Sequence, residues 1–450
     1  MITYQDLMAA TTETDKIQII MKAIDEHKSS DAYKEAVISE NYYKQKSDCY
    51  YRDKYIIDFK GRRVKDEYSP DDKICSNYYD YYVTQLTQYL LSNGVTFKND
   101  EIKEKIKLFD DVIQEIATNA QIHKKAYGFF NVDTIVPFSF LEFVEFVDEE
   151  NNQIRAGVRF WQIDKNKPLR ITLFEEDGVT EYIRRNDEDV VEYMPKRPYV
   201  LNYSESEASG IDYHGGYNYK SFPVVPLYWV KDSTRLGTNK GCIDSFERTA
   251  TNISNETSDP ETDYWVLKNC DGMTTEDDQK FLENLKIRKI VHGEGDEISK
   301  ETRTIQYQAG VAMLAEQRRI MFNNFQAFDP ETIAAGNVTA TQIDAAYQPL
   351  DNLCDRFEYY VSAFIMKILE LAGYKDDYPS YTRNRIANET EKSQSILMWA
   401  QFLDSETLID LCPYLTPEQK EVVKERTKEM EMSRMGMDMS DDDDDKSGDE

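Results

Sequence analysis

The sequence contains few of the residues from which catalytic and metal sites are usually built. Its 450 residues include four histidines and six cysteines, all scattered along the chain. It has no HExxH pair, no CxxC pair, no GxxxxGK(S/T) phosphate loop and no GxSxG nucleophile turn. These absences exclude the common zinc, nucleotide and serine-hydrolase motifs. We therefore expect no metal site and no cofactor, and cysteines that stay reduced.

A long apolar segment is also absent. A helix needs roughly 20 consecutive apolar residues to cross a bilayer. The most apolar helical pattern, at residues 360–371, is interrupted by Lys367 and Glu370. The first residues, Met1 to Asp6, lack the basic and then apolar pattern of a secretory signal. The sequence therefore predicts neither a membrane span nor a signal peptide.

Positive charge is scarce. The chain has 54 Lys and Arg against 84 Asp and Glu, a net charge of -30. Tight binding to nucleic acid requires clustered basic residues that neutralise phosphates, so ordinary nucleic-acid binding is not expected. Acidic pairs such as Asp71–Asp72 are expected by chance at this composition, and no set of carboxylates stands out as a two-metal centre. The acidity suits many soluble proteins, and it also suits a surface that DNA passes without sticking.

Hydrophobic periodicity predicts an α+β fold. Alternating residues between 127 and 228 indicate a hairpin or meander, with a loop at 204–218. Apolar residues recur at helical spacing in four other segments. These segments are 76–91, 101–126, 240–257 and 308–328.

A longer helix is predicted after residue 339. Thr339 to Gln342 form a capping-box pattern, and apolar residues then recur every three or four positions up to Leu371. Pro349 lies inside this pattern. Because proline lacks a backbone donor and clashes with the preceding turn, we expect it to kink the helix. Gly373 then ends it.

A small mixed insertion is predicted between the helices at 240–257 and 308–328. It contains strand patterns at 264–267, 287–291 and 302–307, and a short helix that opens near Thr274. It also carries a local positive stripe. The stripe consists of Lys280, Lys286, Arg288 and Lys289. The residues alone leave open whether this is a solvated face or a contact for DNA or an acidic partner.

The last residues, 436–450, are polar and acidic and include five consecutive aspartates, Asp441 to Asp445. Such a run cannot bury enough apolar surface to fold alone, so we expect it to be disordered. The pattern Asp-Asp-Asp-Asp-Lys also occurs in cleavable expression tags. A native acidic tail and a tag therefore both remain open.

Several separated motifs together resemble the portal protein family of long-tailed bacteriophages. They occur in the family's order over roughly 40–432. Ala340 stands where the family often has glycine, which is a departure from its pattern. The motifs are Ser76–Tyr79 with Tyr89–Ser92 and Val95–Phe97; Phe222–Pro226 with Trp229; Ile243–Phe246 and Ser254–Glu256; Tyr264–Asn269; Gly336–Ile343; and Leu403–Thr407 with Pro413 and Glu418.

The resemblance implies a phage portal fold with a wing, a two-helix stem, a small α/β clip, a long kinked helix and a helical crown. The implied regions are 1–236 (wing), 237–258 (first stem helix), 259–308 (clip), 309–328 (second stem helix), 329–340 (tunnel loop), 341–373 (kinked wing helix), 374–432 (crown) and 433–450 (acidic disordered tail).

The resemblance also implies a function. Members of this family form a ring of twelve subunits at one capsid vertex, through which double-stranded DNA is packaged and ejected. The ring is the docking site for the terminase large subunit and the head-completion adaptor, and it assembles with major capsid and scaffolding proteins. A protein of this kind is not an enzyme. It belongs to the virion, and to the host cytoplasm during assembly.

Candidate site residues follow from the implied regions. The tunnel loop offers Asp329, Glu331, Thr332, Asn337 and Thr339. The clip contacts are Lys268, Lys280, Lys286, Arg288 and Lys289, and the stem-packing residues are Leu314, Met321, Phe325 and Phe328, with Pro349 as the helix kink. The segment 329–340 contains no Lys or Arg. Like charge between its carboxylates and phosphate would keep DNA mobile.

Two alternatives remain. The chain could be another virion component, such as a head–tail adaptor, although adaptors are usually much shorter than 450 residues. It could also be a metal-dependent nucleic-acid enzyme, which would show turnover that depends on a divalent metal and on a particular carboxylate.

Overall fold

The computed structural model divides the chain into two compact units. The first unit comprises residues 1–328 and 349–384, and the second comprises 329–348 and 385–450. The residues that the structure describes are 2–57, 61–66, 69–99, 101–185, 189–206, 210–258, 263–268, 276–277, 280, 297–302, 307–332, 339–375, 377–385, 405–411 and 420–428.

The first unit opens with a helical segment. Thr3 and Thr12 begin the first two helices with complete capping boxes, in which each threonine accepts from an aspartate N–H three residues later and that carboxylate accepts in return. The helices here are α1 (Tyr4–Ala9), α2 (Glu13–Ser29), α3 (Asp31–Tyr43) and α4 (Asp48–Tyr51). They are followed by a hairpin of β1 (Tyr55–Ile57) and β2 (Arg63–Lys65).

The predicted helix at 76–91 is present, but the predicted helix at 101–126 is wrong as a single element. Leu108 has a left-handed backbone with φ of 52°, which breaks the chain into two helices, and Lys125 already starts a strand. The elements are α5 (Tyr78–Leu91), β3 (Val95–Thr96), α6 (Glu101–Lys105) and α7 (Phe109–His123).

Two antiparallel sheets follow. The strands are β4 (Lys125–Asn131), β5 (Thr134–Ser139), β6 (Phe143–Val147), β7 (Ile154–Trp161), β8 (Leu169–Glu175), β9 (Gly178–Arg184), β10 (Val191–Arg197), β11 (Val200–Ser206), β12 (Gly210–Tyr217) and β13 (Val224–Tyr228). One sheet has the strand order β13-β4-β5 and the other β10-β9-β8-β7-β6. The predicted loop at 204–218 is instead a hairpin of β11 and β12.

Burial of apolar side chains joins the helices to these sheets. Ile20 and Ile24 of α2 pack against Phe146, Val158 and Leu173 of the five-stranded sheet. A second cluster is aromatic and sits between α3 and both sheets. Its fully buried members include Tyr127, Phe138 and Phe143. Each buried aromatic ring removes a large apolar area from water, so these clusters dominate the core's stability.

Two helices flank the predicted insertion. They are α8 (Lys240–Ser258) and α9 (Tyr307–Asn324), and between them β14 (Asp263–Lys268) pairs antiparallel with β15 (Glu297–Thr302). The predicted strand at 302–307 is wrong in extent, since β15 ends at Thr302 and α9 starts at Tyr307. The predicted strand at 287–291 lies outside the described residues.

The long helix is α10 (Ala340–Leu371), which continues through Pro349. The capping box is confirmed, because the Gln342 N–H donates to Thr339 Oγ1 at 3.4 Å and the Thr339 N–H donates to Gln342 Oε1 at 3.1 Å. Beyond Pro349 the helix belongs to the first unit. There Phe357 packs edge-on against Trp229 at 5.0 Å, and Phe364 lies directly over Gly128 of β4.

The chain after α10 also packs in the first unit. The short strand β16 (Ser380–Tyr381) pairs with β3. Arg383 binds three carboxylates of α10, those of Asp351, Asp355 and Glu358. In the second unit, α11 (Ser405–Leu411) is joined to a helix at 420–428, here α12, by ion pairs of Lys424 with Asp410 and Lys428 with Glu406.

The predicted α+β class is confirmed. No helix among the described residues is both long and apolar enough to cross a membrane. The acidic tail at 433–450 lies outside the described residues. The division into wing, stem, clip, tunnel loop and crown stays a prediction.

Candidate functional site

The most informative part of the molecule is the pair formed by α8 and α9. The two helices run antiparallel, since Asn324 meets Cys242 at one end while Gly310 meets Ile253 at the other. At Gly310 the helices approach so closely that an added Cβ would lie 2.7 Å from Ile253 Cδ1. Between these ends, Gln317 Nε2 donates to Ser245 Oγ at 2.9 Å. The helix pair is therefore a closely packed unit.

One end of the helix pair is anchored in an aromatic cluster. Met321 and Phe322 of α9 are buried there, together with Phe325. Phe325 stacks on Tyr82 of α5 with ring centroids 4.4 Å apart. Ile243 of α8 completes the same cluster. Stacked and edge-on rings in a dry cluster resist displacement, so this end of the pair has a defined position on the first unit.

A buried arginine ties the helix pair to the rest of the first unit. Arg235, only 5% exposed, donates to the side chain of Gln121 on α7 and to the Phe325 carbonyl just after α9. Its guanidinium also lies 5.5 Å from the Trp229 ring. Burial lowers the pKa of Arg235 to about 10. The guanidinium is thus stabilised by amide oxygens and an aromatic face, where a buried arginine would usually pair with a carboxylate.

The predicted stem-packing residues occupy different environments. Leu314 is half-buried on α9 and Met321 is fully buried. Phe325 and Phe328 are also buried, but they lie beyond the helix, which ends at Asn324. The helix stops because Gln326 adopts a left-handed backbone with φ of 50°. The Ala327 and Gln326 N–H groups then close a Schellman motif on the carbonyls of Phe322 and Asn323.

The other side chains of α9 leave apolar surface exposed. Tyr307, Val311, Met313 and Ile320 are 57%, 44%, 52% and 40% exposed. A helix turns by about 100° per residue. Relative to the face that carries Leu314 and Gln317 toward α8, Val311 lies on one side and Met313 and Ile320 lie on the other. The apolar surface of α9 thus extends to both flanks of the helix pair.

The predicted loop residues are partly described. Residues Pro330–Thr332 form a single 3-10 turn in which Thr332 Oγ1 donates to the Asp329 carbonyl at 2.7 Å. The side chains of Glu331 and Thr332 are exposed, as is that of Thr339 at the start of α10. Asn337 lies outside the described residues. The described part of this loop therefore presents carboxylate and hydroxyl groups to solvent.

The predicted clip contacts are described only in part. Lys268 lies at the end of β14, and Lys280 is exposed. Lys286, Arg288 and Lys289 lie outside the described residues. The positive stripe therefore stays a prediction.

Sequence reasoning missed two buried charged residues of the helix pair region, Arg235 and Glu247. Glu247 is only 1% exposed and lies between Ile243 and Thr251, one turn away on either side, on the same buried face of α8. In the sequence, a charged residue four positions after an apolar one is only a weak sign of a buried charge, because most such residues are solvated. Only the fold shows that Ser47, Ile74 and Ser76 cover this face.

Comparison with known proteins identifies the family. Residues 23–434 match the model of the family described as phage portal protein, SPP1 Gp6-like. The portal protein of Bacillus phage SPP1 is 23% identical over 443 residues, which cover 90% of this chain and 85% of that protein. A solved neck structure of a native GTA particle with C12 symmetry aligns with a TM-score of 0.36 and 9% identity, over 77% of this chain and 88% of the other. That structural likeness is too weak to support a conclusion. The sequence match, however, spans nearly the whole chain, and the protein belongs to the SPP1 Gp6-like family of phage portal proteins.

Proposed function

We propose that this chain is the subunit of a ring, with twelve copies expected from the family resemblance, which forms the DNA channel at one capsid vertex. The family membership supports this role. The observation in the molecule itself that supports it best is the apolar surface on both flanks of α9. A subunit in a closed ring meets one neighbour on each side, and each contact must bury apolar area to be stable.

Within this proposal α8 and α9 are the stem helices, β14 and β15 belong to the clip, and α10 is the long wing helix. The anchoring of α9 through Met321, Phe322 and Phe325 leaves Val311 and Ile320 free to contact neighbouring subunits. Leu314, which is half-buried and one turn from Gln317 on the same helix face, would hold the pair together inside one subunit. The stem would therefore use one set of apolar residues for folding and another for assembly.

The ring interface can be tested by charge substitution. In a Val311→Glu, Ile320→Glu double variant, each ring contact would have to bury a carboxylate without a partner, which is strongly unfavourable. We expect the variant to remain a folded monomer, as judged by circular dichroism, and to form no rings in native mass spectrometry or negative-stain microscopy. Thr257→Glu, at an exposed polar position of α8, is the control and should assemble normally. If the double variant formed rings as abundantly as the wild type does, Val311 and Ile320 would not belong to the ring interface.

The segment 329–340 is proposed to line the DNA path, with Asp329, Glu331, Thr332, Asn337 and Thr339 as the groups nearest to DNA. Carboxylates and hydroxyls at this place would let phosphates pass, because no fixed cation would hold them. The acidic balance of the whole chain supports the same view.

Glu331→Lys tests the loop. A lysine at this exposed position, repeated around a ring, would create a belt of positive charge that binds phosphate and slows DNA movement. We expect intact rings but a lower packaging rate, measured as DNA protected from nuclease per unit time. The control is Glu421→Lys, which makes the same charge change at an exposed residue of α12. Equal packaging rates for the two variants would show that the loop does not control DNA passage.

The clip residues Lys268, Lys280, Lys286, Arg288 and Lys289 are proposed as contacts for the terminase large subunit during packaging and for the head-completion adaptor afterwards. Their positive charge would complement acidic partner surfaces and speed docking. Major capsid and scaffolding proteins are the further partners expected around the wing and crown. The protein would act in the virion after assembly in the host cytoplasm, as a structural component and not as an enzyme.

A further inference from the structure

Three potential metal ligands from distant parts of the sequence meet beside α8. They are the thiols of Cys49 and Cys75 and the carboxylate of Glu247, and one ligand atom from each lies within 4.8 Å of the other two. Cys49 lies on α4, Cys75 lies in the segment before α5, and Glu247 lies in the middle of α8. Both cysteines are free thiols and half-buried.

The carboxylate of Glu247 is held in a fixed orientation. Ser76 donates to Oε1 from its N–H and from its Oγ, both at 2.8 Å, and Ser47 Oγ donates to Oε2. Hydrogen bonds of this kind, from residues behind the ligands, orient the carboxylates of established metal sites. Each carboxylate oxygen accepts two bonds, so Oε2 keeps a lone pair available.

Glu247 is only 1% exposed, and within the described residues it makes no salt bridge. A buried carboxylate without a cation is costly, and hydrogen bonds from neutral serines compensate only part of that cost. Beside it lies a pair of thiols, which become anionic ligands when a metal displaces their protons. A divalent cation at this point would place a positive centre within bonding distance of the carboxylate.

We propose that Cys49, Cys75 and Glu247 bind a thiophilic divalent cation, with zinc as the best match. Two sulfurs and one carboxylate oxygen fit the ligand preference of zinc, and a water would complete a tetrahedral site. Binding would form two Zn–S bonds and one Zn–O bond and release two thiol protons to solvent. In the metal-bound form the three anionic ligands and the divalent cation together carry a net charge of -1.

An entry path for the cation is present. Cys49 and Thr251 line a cavity of about 700 Å³ that is also bordered by Arg52, Lys73 and Asn255. Thr251 Oγ1 lies 3.4 Å from Cys49 Sγ and accepts the Ile74 N–H at 3.2 Å, so it connects the rim of the cavity to the cluster. A hydrated ion could reach the thiol of Cys49 from this side.

The site would have a mechanical consequence. Its ligands join α4, the segment before α5 and α8, so a bound cation would clamp α8 to the rest of the first unit. Metal binding to the folded chain and not to the unfolded chain also adds to stability by mass action. The inference concerns metal binding by the single chain and does not depend on ring formation.

The test uses the full chain, purified with a reductant and a chelator and then freed of the chelator. Zinc is titrated by calorimetry, its stoichiometry is measured by elemental mass spectrometry, and cobalt is added in parallel, because cobalt–thiolate bonds absorb in the near ultraviolet. We expect one metal per chain and a rise in melting temperature on zinc addition. Cys49→Ser, Cys75→Ser and Glu247→Gln should each weaken binding at least about tenfold. Cys242→Ser is the control and should bind as the wild type does.

Several outcomes would overturn the site. One is the absence of stoichiometric zinc binding by the wild type. Another is unchanged binding by folded Cys49→Ser and Cys75→Ser variants, which keeps the test valid if Glu247→Gln fails to fold. A third is that Cys49 and Cys75 form a disulfide without reductant and that the reduced protein binds no metal. The two thiols would then be a redox pair and not a metal site. Native mass spectrometry of the same samples separates the two proposals: rings without zinc reject only the metal site, and zinc-binding monomers reject only the ring.

Discussion

At the scale of single residues, the buried titratable groups decide how stability responds to pH. His123 ends α7 and is 4% exposed. Ser139 Oγ lies 3.2 Å from its Nδ1, and Nε2 has no hydrogen-bond partner within the described residues. Burial lowers the pKa of His123 to about 4, with Glu40 raising it and Lys44 lowering it to a smaller extent. The folded protein therefore keeps this imidazole neutral.

This histidine predicts acid sensitivity. Above about pH 6.5 the side chain is neutral in both states and has no effect on stability. Between pH 6.5 and 4 the unfolded chain binds the proton and the folded chain does not, so stability falls as pH falls. The expected loss from pH 7 to pH 5 is about 2 kcal/mol. Denaturant unfolding of wild type and His123→Gln at both pH values measures it. The variant should show a smaller pH dependence, and equal slopes would contradict the prediction.

At the scale of elements, α10 carries a residue that a helix normally excludes. Pro349 cannot donate to the Ala345 carbonyl, yet α10 runs through it for 32 residues. From Leu350 onward the helix is buried in the first unit, with Leu353, Phe357 and Val361 among its core residues. The division between the two units falls between Gln348 and Pro349. The weakest hydrogen-bonded point of the helix therefore coincides with this division.

Pro349→Ala should stabilise the helix by restoring one hydrogen bond and removing a steric clash. We expect the free energy of unfolding to rise by about 1–3 kcal/mol, measured by thermal or denaturant unfolding. Lys367→Ala, an exposed position on the same helix, controls for the helix propensity of alanine and should change stability by less than about 0.5 kcal/mol. The kink at Pro349 stays a prediction; if the proline serves the portal, packaging by Pro349→Ala falls although stability rises. A destabilised Pro349→Ala variant would show that the proline fits a bend that the fold requires.

At the scale of the whole molecule, the net charge of -30 opposes the assembly that we propose. Subunits with the same strong negative charge repel one another, and this repulsion is screened within a Debye length of about 10 Å at 0.1 M salt. Apolar contacts such as those available on α9 are not weakened by salt in this range. Assembly of acidic subunits should therefore depend on ionic strength.

We expect the fraction of chains in rings to increase when sodium chloride is raised from about 20 mM to about 300 mM, because screening reduces repulsion. Sedimentation velocity at fixed protein concentration measures the distribution of species. The Val311→Glu, Ile320→Glu variant should stay monomeric at every salt concentration. Rings that dissociate as salt is added would instead indicate an interface held mainly by ion pairs.

The sequence alone determined the α+β class, the helices on either side of the insertion, the capping box at Thr339 and the resemblance to portal proteins. These features depend on local periodicity, on side chains within one helical turn, or on motifs in a fixed order, all of which a linear sequence displays. The geometry of turns was harder to predict from the sequence. The break at Leu108 and the end of α9 at Gln326 both depend on left-handed backbones at residues that carry no glycine signal.

Only the tertiary structure decided which charged and thiol groups are buried together. Arg235 meets Gln121 across 114 positions, and Glu247 meets Ser47 across 200. Cys49, Cys75 and Glu247 show no metal-ligand spacing in the chain, because three separate elements bring them together. The same holds for α9, whose apolar pattern predicts a helix but not which residues stay exposed. Burial is a property of the packed chain, and residues far apart in sequence create it.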